Sequence, residues 1–158
     1  MECLVIDTNP IVYIYNGVPG AGSQYAVLFD KLSRKHNLVI PKIVYGELSL
    51  MFDSMMEINA FLTDTEIEIK DIPVKCYVEA AARWQKYNQR RILMCHDCGK
   101  KIGDILCKTC GAVIKIRQHI LADFLIGAFA SEMEGTTIVT NDKGYYKTYF
   151  PELKIIAL

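Results

Sequence analysis

The chain opens on an uninterrupted apolar run, CLVI at 3–6, that stops abruptly at Asp7-Thr8-Asn9-Pro10. A continuous run, unlike an alternating one, is the pattern of a strand buried on both faces of a parallel sheet. Pro10 suits the first turn of a helix and Asn9 its cap, so the pattern predicts a switch from strand to helix here. Helical spacing follows over 22–35, and NLVIP at 37–41 predicts a second strand closed by a proline. Helices are predicted at 42–52, directly after Pro41, and at 54–62, while EIEIKDI at 66–72 alternates as a strand does. A long helix rich in alanine, arginine and lysine is predicted at 74–91, and helical spacing resumes over 117–134. TTIVT at 136–140 reads as a strand, KGYYKTYF as a short helix and LKIIAL at 153–158 as a last strand.

This alternation predicts the α/β class: a three-layer α/β/α domain around a mostly parallel sheet. It is broken once, by the segment CHDCGKKIGDILCKTC at 95–110. Because strands and helices alternate on both sides of that segment, residues 1–158 read as a single domain with an insertion at 92–114.

Composition narrows the picture further. The chain is 51% hydrophobic, and 18 Lys and Arg balance 18 Asp and Glu, so a nucleic-acid contact would need a local basic patch. No apolar run approaches the ~20 residues of a membrane span. Glu2 and the lack of a basic segment before CLVI are unlike a signal peptide. A cytoplasmic location without membrane contact is expected, where six cysteines favour metal binding or core packing over disulfides.

Cys95-x-x-Cys98 and Cys107-x-x-Cys110 are each followed by a glycine, Gly99 and Gly111. Two such turns can present four thiolates to one tetrahedral Zn²⁺. Four protein ligands leave no open position for water, so such a site is structural. An iron site or a redox pair is the alternative, and His96 could replace a cysteine ligand. Lys100, Lys101 and Lys108 lie within the segment, and Arg90, Arg91, Lys115 and Arg117 flank it. They form either a solvated basic surface or an RNA-gripping patch. Cys3, Cys76 and Trp84 read as packing residues.

Four acids stand apart from the rest. Asp7 and Asp142 each end an apolar strand, where ligands gather in parallel sheets, although either could simply cap a helix. Glu47 has the helical neighbours Ile43, Val44, Leu48 and Met51, and Asp123 has Ile120, Ile126 and Gly127. No arginine lies on the i±3 or i±4 row of either acid. A buried carboxylate without a partner costs several kcal/mol, and a shared Mg²⁺ or Mn²⁺ held by hard oxygen ligands removes that cost.

In this order, VIDTNPIV, IPKIVYGELS, ADFLIGAFA and IVTNDKGY resemble the motifs of a PIN domain of the VapC-like kind. The resemblance spans the chain apart from the cysteine insertion. It implies a fold related to flap-endonuclease cores and a metal-dependent endoribonuclease acting on RNA. It further implies an acidic site at Asp7, Glu47, Asp123 and Asp142, with Thr8, Asn9, Thr140 and Asn141 as polar helpers that orient substrate. A homodimer and an antitoxin protein are implied partners. Many members have one more acid two residues after the last; Gly144 stands there, which leaves one or two metal ions open. Zinc-ribbon PIN nucleases of ribosome maturation have their ribbon after the domain, whereas here it precedes the Asp123 helix.

The resemblance leaves the setting open between a toxin of a toxin–antitoxin pair and an RNA-processing nuclease. A non-catalytic RNA- or protein-binding module on the same fold is the competing class. A DxD-type phosphatase is set aside because Asn9 stands where its second aspartate is needed. His119 reads as a partly exposed histidine, with contact to the acids as its alternative. Tyr145 and Tyr146 read as packing residues, with base stacking as theirs.

Overall fold

β1 (Cys3–Ile6) lies at the centre of a five-stranded, wholly parallel sheet in the computed structural model, which describes residues 2–90, 93–95, 97–114, 116 and 118–158. Its neighbours are β2 (Asn37–Pro41) and β4 (Thr137–Val139); β3 (Ile67–Lys70) and β5 (Lys154–Ile156) form the edges. The hydrophobic pattern follows position in the sheet. Leu4, Val5 and Ile6 are buried, as are Leu38, Val39, Ile40, Ile138 and Val139, because helices cover both faces of the three inner strands. On the β3 edge Ile67 is buried and Glu68 exposed, as the alternation expects, while Ile69 is exposed as well.

The helices are α1 (Thr8–Tyr15), α2 (Ala21–Ser33), α3 (Lys42–Leu48), α4 (Met55–Asp64), α5 (Val74–Arg90), α6 (Leu121–Glu132) and α7 (Lys143–Tyr149). Three boundaries correct the sequence reading. Asp7, not Asn9, caps α1: its extended backbone lets the carboxylate accept from the Thr8 N–H, and Asn9 is left exposed in the first turn. α3 stops at Leu48 and does not continue to 52, giving way to turns. α6 begins only at Leu121, because Ile120 is extended and the N–H groups of Gln118 and His119 both donate to the Tyr87 hydroxyl.

Every residue of α6 from Phe124 to Ala130 is buried, as expected of a helix that is apolar all round. It lies against α5 and faces the aromatic end of α7. Phe124 meets Tyr87, Tyr145, Tyr149 and Phe150 at centroid distances of 5.3–6.1 Å. Cys76 and Trp84 pack in or against the core, as does Cys3.

Between α5 and α6, the described residues of the cysteine segment form two small hairpins with antiparallel pairs at Met94–Lys101 and Leu106–Val113. Their turns are copies of each other. Cys95 N–H donates to Lys100 O and Gly99 N–H to Cys95 O, and Cys107 and Gly111 repeat this with Ala112 O and Cys107 O. Gly99 and Gly111 have φ of 69° and 74°, the left-handed conformation that glycine adopts without steric cost. None of the four cysteines is in a disulfide. Of the basic residues, Arg90, Lys100, Lys101 and Lys108 are exposed, while Arg91, Lys115 and Arg117 lie outside the described residues, as does His96. Among the described residues no helix is long and apolar enough to cross a membrane.

The closest fit in the core is at Gly127, where a Cβ would come within 2.3 Å of the Phe150 ring. Gly127→Ala should therefore destabilise the fold by about 1–3 kcal/mol through overpacking, read from a denaturant melt at unchanged m-value.

Candidate active site

β1 and β4 run parallel in register, Ile6 beside Val139, so the residues that follow them emerge together. Asp7 N–H donates to Val139 O at 2.9 Å, which extends the pairing by one step. Thr140 then joins the two strand-end acids. Its fully buried hydroxyl donates to Asp7 Oδ2 at 2.6 Å and accepts from the Asp142 N–H at 3.0 Å.

The other two acids arrive on helices. Glu47, on the last turn of α3, accepts a hydrogen bond from the Thr8 hydroxyl. Asp123 sits in the first turn of α6, not mid-helix, and Oδ2 accepts from the Ile120 N–H at 2.7 Å. An aspartate near a helix N-terminus is favourably placed, which removes the penalty a mid-helix position would impose. Asp142 in turn caps α7, accepting from Tyr145 N–H at 3.3 Å.

Asp7, Glu47, Asp123 and Asp142 line a single cleft of about 340 Å³, with Thr8, Asn9 and the rings of Tyr145 and Tyr146. Asn141 is turned elsewhere: its amide donates to Tyr13 Oη at 3.3 Å, and Tyr25 donates to its oxygen at 3.5 Å. The tyrosines flanking the cleft are core residues. Tyr145 and Tyr146 are each 2% exposed, which matches the packing reading.

His119 requires a correction. It is buried, with Nδ1 3.7 Å from Asp123 Oδ2 and Nε2 3.7 Å from Asp142 Oδ2. Its ring stacks on Tyr145 at 3.9 Å. Its place four residues before Asp123 was the available signal. The second half of the contact, to Asp142, has no counterpart in local sequence.

Burial dominates the electrostatics. It pushes the Asp7 carboxyl up to about 7, against the hydrogen bonds from Thr140 and Thr8 and helped by the charges of Asp123 and Glu47. Burial likewise raises Glu47, with the Thr8 hydroxyl opposing and Asp123 adding to the rise. Hard oxygen donors crowded out of water are the donor set that Mg²⁺ or Mn²⁺ takes, and a cation would reverse both shifts. As they stand, each acid is engaged in a hydrogen bond of its own. Among the described residues no three His, Cys, Asp or Glu side chains are gathered closely enough to hold a metal ion. In the hairpins, backbone N–H groups of Cys98 and Asp97 lower the Cys95 thiol, and those of Cys110 and Thr109 lower Cys107.

No family model and no curated protein matches the chain. Solved structures do. The chain is similar to one in VapBC2 from Rickettsia felis bound to a DNA fragment from its promoter, with 20% identity, TM-score 0.61 and 98% of each chain covered. FitAcB from Neisseria gonorrhoeae gives 16% identity and TM-score 0.53 over 97% of this chain and 96% of the other. DNA-bound VapBC from Salmonella typhimurium gives 17% identity and TM-score 0.52 over 99% and 98%. The fold is PIN-like. At these identities the likeness is one of fold, and it extends over almost the whole chain.

The Asp7 shift has a definite sign in stability. The unfolded chain loses that proton near the usual 3.8 and the folded chain only near 7. The stabilising effect of the proton is thus complete below about pH 4 and is lost as pH rises to about 7. Asp7→Asn should raise the Tm of the metal-free protein at pH 8 by about 3 °C or more and flatten its fall between pH 4 and 7. Mn²⁺ should raise the Tm of the wild type but not of this variant.

Proposed function

We propose that this PIN-like chain is an endoribonuclease that uses Mg²⁺ or Mn²⁺ to hydrolyse RNA phosphodiesters. The observation supporting this is the convergence of four carboxylates, from two strand ends and two helices, on one cleft where burial disfavours the charges of Asp7 and Glu47. Bound there, a divalent ion supplies Lewis-acid stabilisation of phosphoryl oxygens and activation of water. Asp7, Glu47, Asp123 and Asp142 would hold it. Thr140 keeps Asp7 and Asp142 at a fixed separation, Thr8 orients Glu47, and exposed Asn9 at the rim is placed to meet a phosphate. His119, 3.7 Å from a carboxylate oxygen of both Asp123 and Asp142, would steady the pair. The aromatic floor keeps bulk water from the inner carboxylate oxygens.

A toxin restrained by an antitoxin protein is the setting we favour over RNA processing, because the similar solved chains come from VapBC and FitAcB assemblies. The apolar side chains beside the cleft agree with a covering partner. Leu50 and Met51 line it at 83% and 51% exposure, and Met55 and Met56 follow close by in the chain. A homodimer in the cytoplasm completes this reading.

Residues 92–114 we propose as an inserted zinc knuckle in which Cys95, Cys98, Cys107 and Cys110 hold one structural Zn²⁺. The matching turns and lowered thiols of Cys95 and Cys107 support this. Soft thiolates and hard carboxylates select different ions, so the two sites would not compete.

Two measurements test these readings. In a cleavage assay on single-stranded RNA, activity should require Mg²⁺ or Mn²⁺, and Glu47→Gln or Asp123→Asn should each lower it at least roughly a hundredfold. RNA bound with undiminished affinity but never cut would instead make the chain a binding module. Elemental analysis should find one zinc per chain, lost in Cys107→Ser together with thermal stability, while the requirement for Mg²⁺ persists. Zinc retained in that variant would overturn the four-thiolate site.

A further inference from the structure

The two cysteine turns share bonding and glycine conformation, yet their surroundings differ. A Cβ on Gly111 would meet nothing within 4 Å, whereas one on Gly99 would lie 3.2 Å from the Cα of Gly144. From the other side the contact is tighter. A Cβ on Gly144 would lie 2.8 Å from Gly99 Cα, 2.9 Å from Cys95 O and 3.0 Å from Gly99 N. Two backbones meet here with no side chain between them, an approach that glycine alone permits.

Gly144 lies in the first turn of α7, the helix capped by the Asp142 carboxylate. α7 has only 7 residues, and Asp142 itself is neither helical nor extended, with φ −94° and ψ 64°. The direction of its carboxylate therefore depends on where α7 begins, and that is where the knuckle rests. The base of the same hairpin is fastened beside the other acid-bearing helix. The Gln118 side chain accepts from Met94 N–H at 2.7 Å and donates to Met94 O at 2.8 Å. The next residue is His119, set between Asp123 and Asp142.

We infer that the Cys95–Gly99 turn is a positioning element of the acid cleft, seated on Gly144 so that it fixes the start of α7 and with it Asp142, and that the Cys107–Gly111 turn has no such part. Gly99 and Gly144 are its positioning residues. A zinc ion held by the cysteines, as proposed above, would stiffen the turn on which Gly144 rests.

The structure supplies a matched control. Gly99→Ala and Gly111→Ala place the same strain on the same turn, but only the first reaches Gly144. Amide hydrogen exchange on the full chain should show Tyr145 and Tyr146 exchanging several-fold faster in Gly99→Ala and Gly144→Ala, with Gly111→Ala at the wild-type rate. Mn²⁺ affinity by titration without RNA should fall about tenfold in the first two variants and hold in the third. The affinity readout rests on the function proposed above; the exchange readout does not. Wild type that binds no Mn²⁺ would defeat that function, while exchange would still decide the coupling. Equal exchange in Gly99→Ala and Gly111→Ala, whether raised or unchanged, would overturn the inference. Should Gly144→Ala fail to fold, the Gly99 and Gly111 pair decides by itself.

Discussion

Parallel pairing of β1 with β4 is the constraint from which the rest of the cleft follows. It places Asp7 and Asp142 at adjacent strand ends, and one buried threonine hydroxyl then serves both, donating to the first and accepting from the second. The cost of this arrangement is electrostatic. A carboxylate 8% exposed, with Asp123 and Glu47 nearby, is less stable ionised than it would be in water. The fold offsets that cost with the hydrophobic burial of its inner strands and of α6 from Phe124 to Ala130. Acids held in such surroundings are common where a site works by charge.

The aromatic cluster gives the cleft its floor. Phe124, Tyr87, Tyr145, Tyr149 and Phe150 meet largely edge to face or tilted, joining α5, α6 and α7. These contacts are directional as well as apolar, so they set the angles between helices and not only their separation. His119 belongs to this cluster through its stacking on Tyr145 and to the acids through both ring nitrogens. It links packing to charge. The bare backbone contact of Gly99 with Gly144 brings the cysteine segment against the start of α7.

Much of this was legible in the chain. The uninterrupted run at 3–6 specified an inner parallel strand, because only a strand covered on both faces is apolar at every position, and 37–41 read as a second strand closed by its proline. The glycine after each cysteine pair permits backbone conformations that a bulkier residue would resist, and both glycines adopt the left-handed one. Asp7 and Asp142 could be singled out because each ends an apolar strand, and Glu47 and Asp123 because no arginine lies on their helical rows. Boundaries were harder. Asn9 looked the better cap, but a strand that ends extended at Asp7 already presents its carboxylate to the next N–H.

What only tertiary structure decided is which residues meet across long separations. Thr140 reaches Asp7 across the β1–β4 pairing, and Tyr25 and Tyr13 claim Asn141, which the family resemblance had counted among the polar helpers. His119 looked partly exposed because its burial depends on Tyr87, Tyr145 and Asp142, none of them within a helical turn of it. Gly144 shows the division most clearly. The resemblance marked it as the place of a missing acid; the structure shows backbone of the cysteine turn filling that space. Local sequence determines how each segment wants to fold, through periodicity and caps that act over a few residues. Which surfaces then exclude water from one another is settled only when the segments are packed together, and in this chain that packing made the cleft.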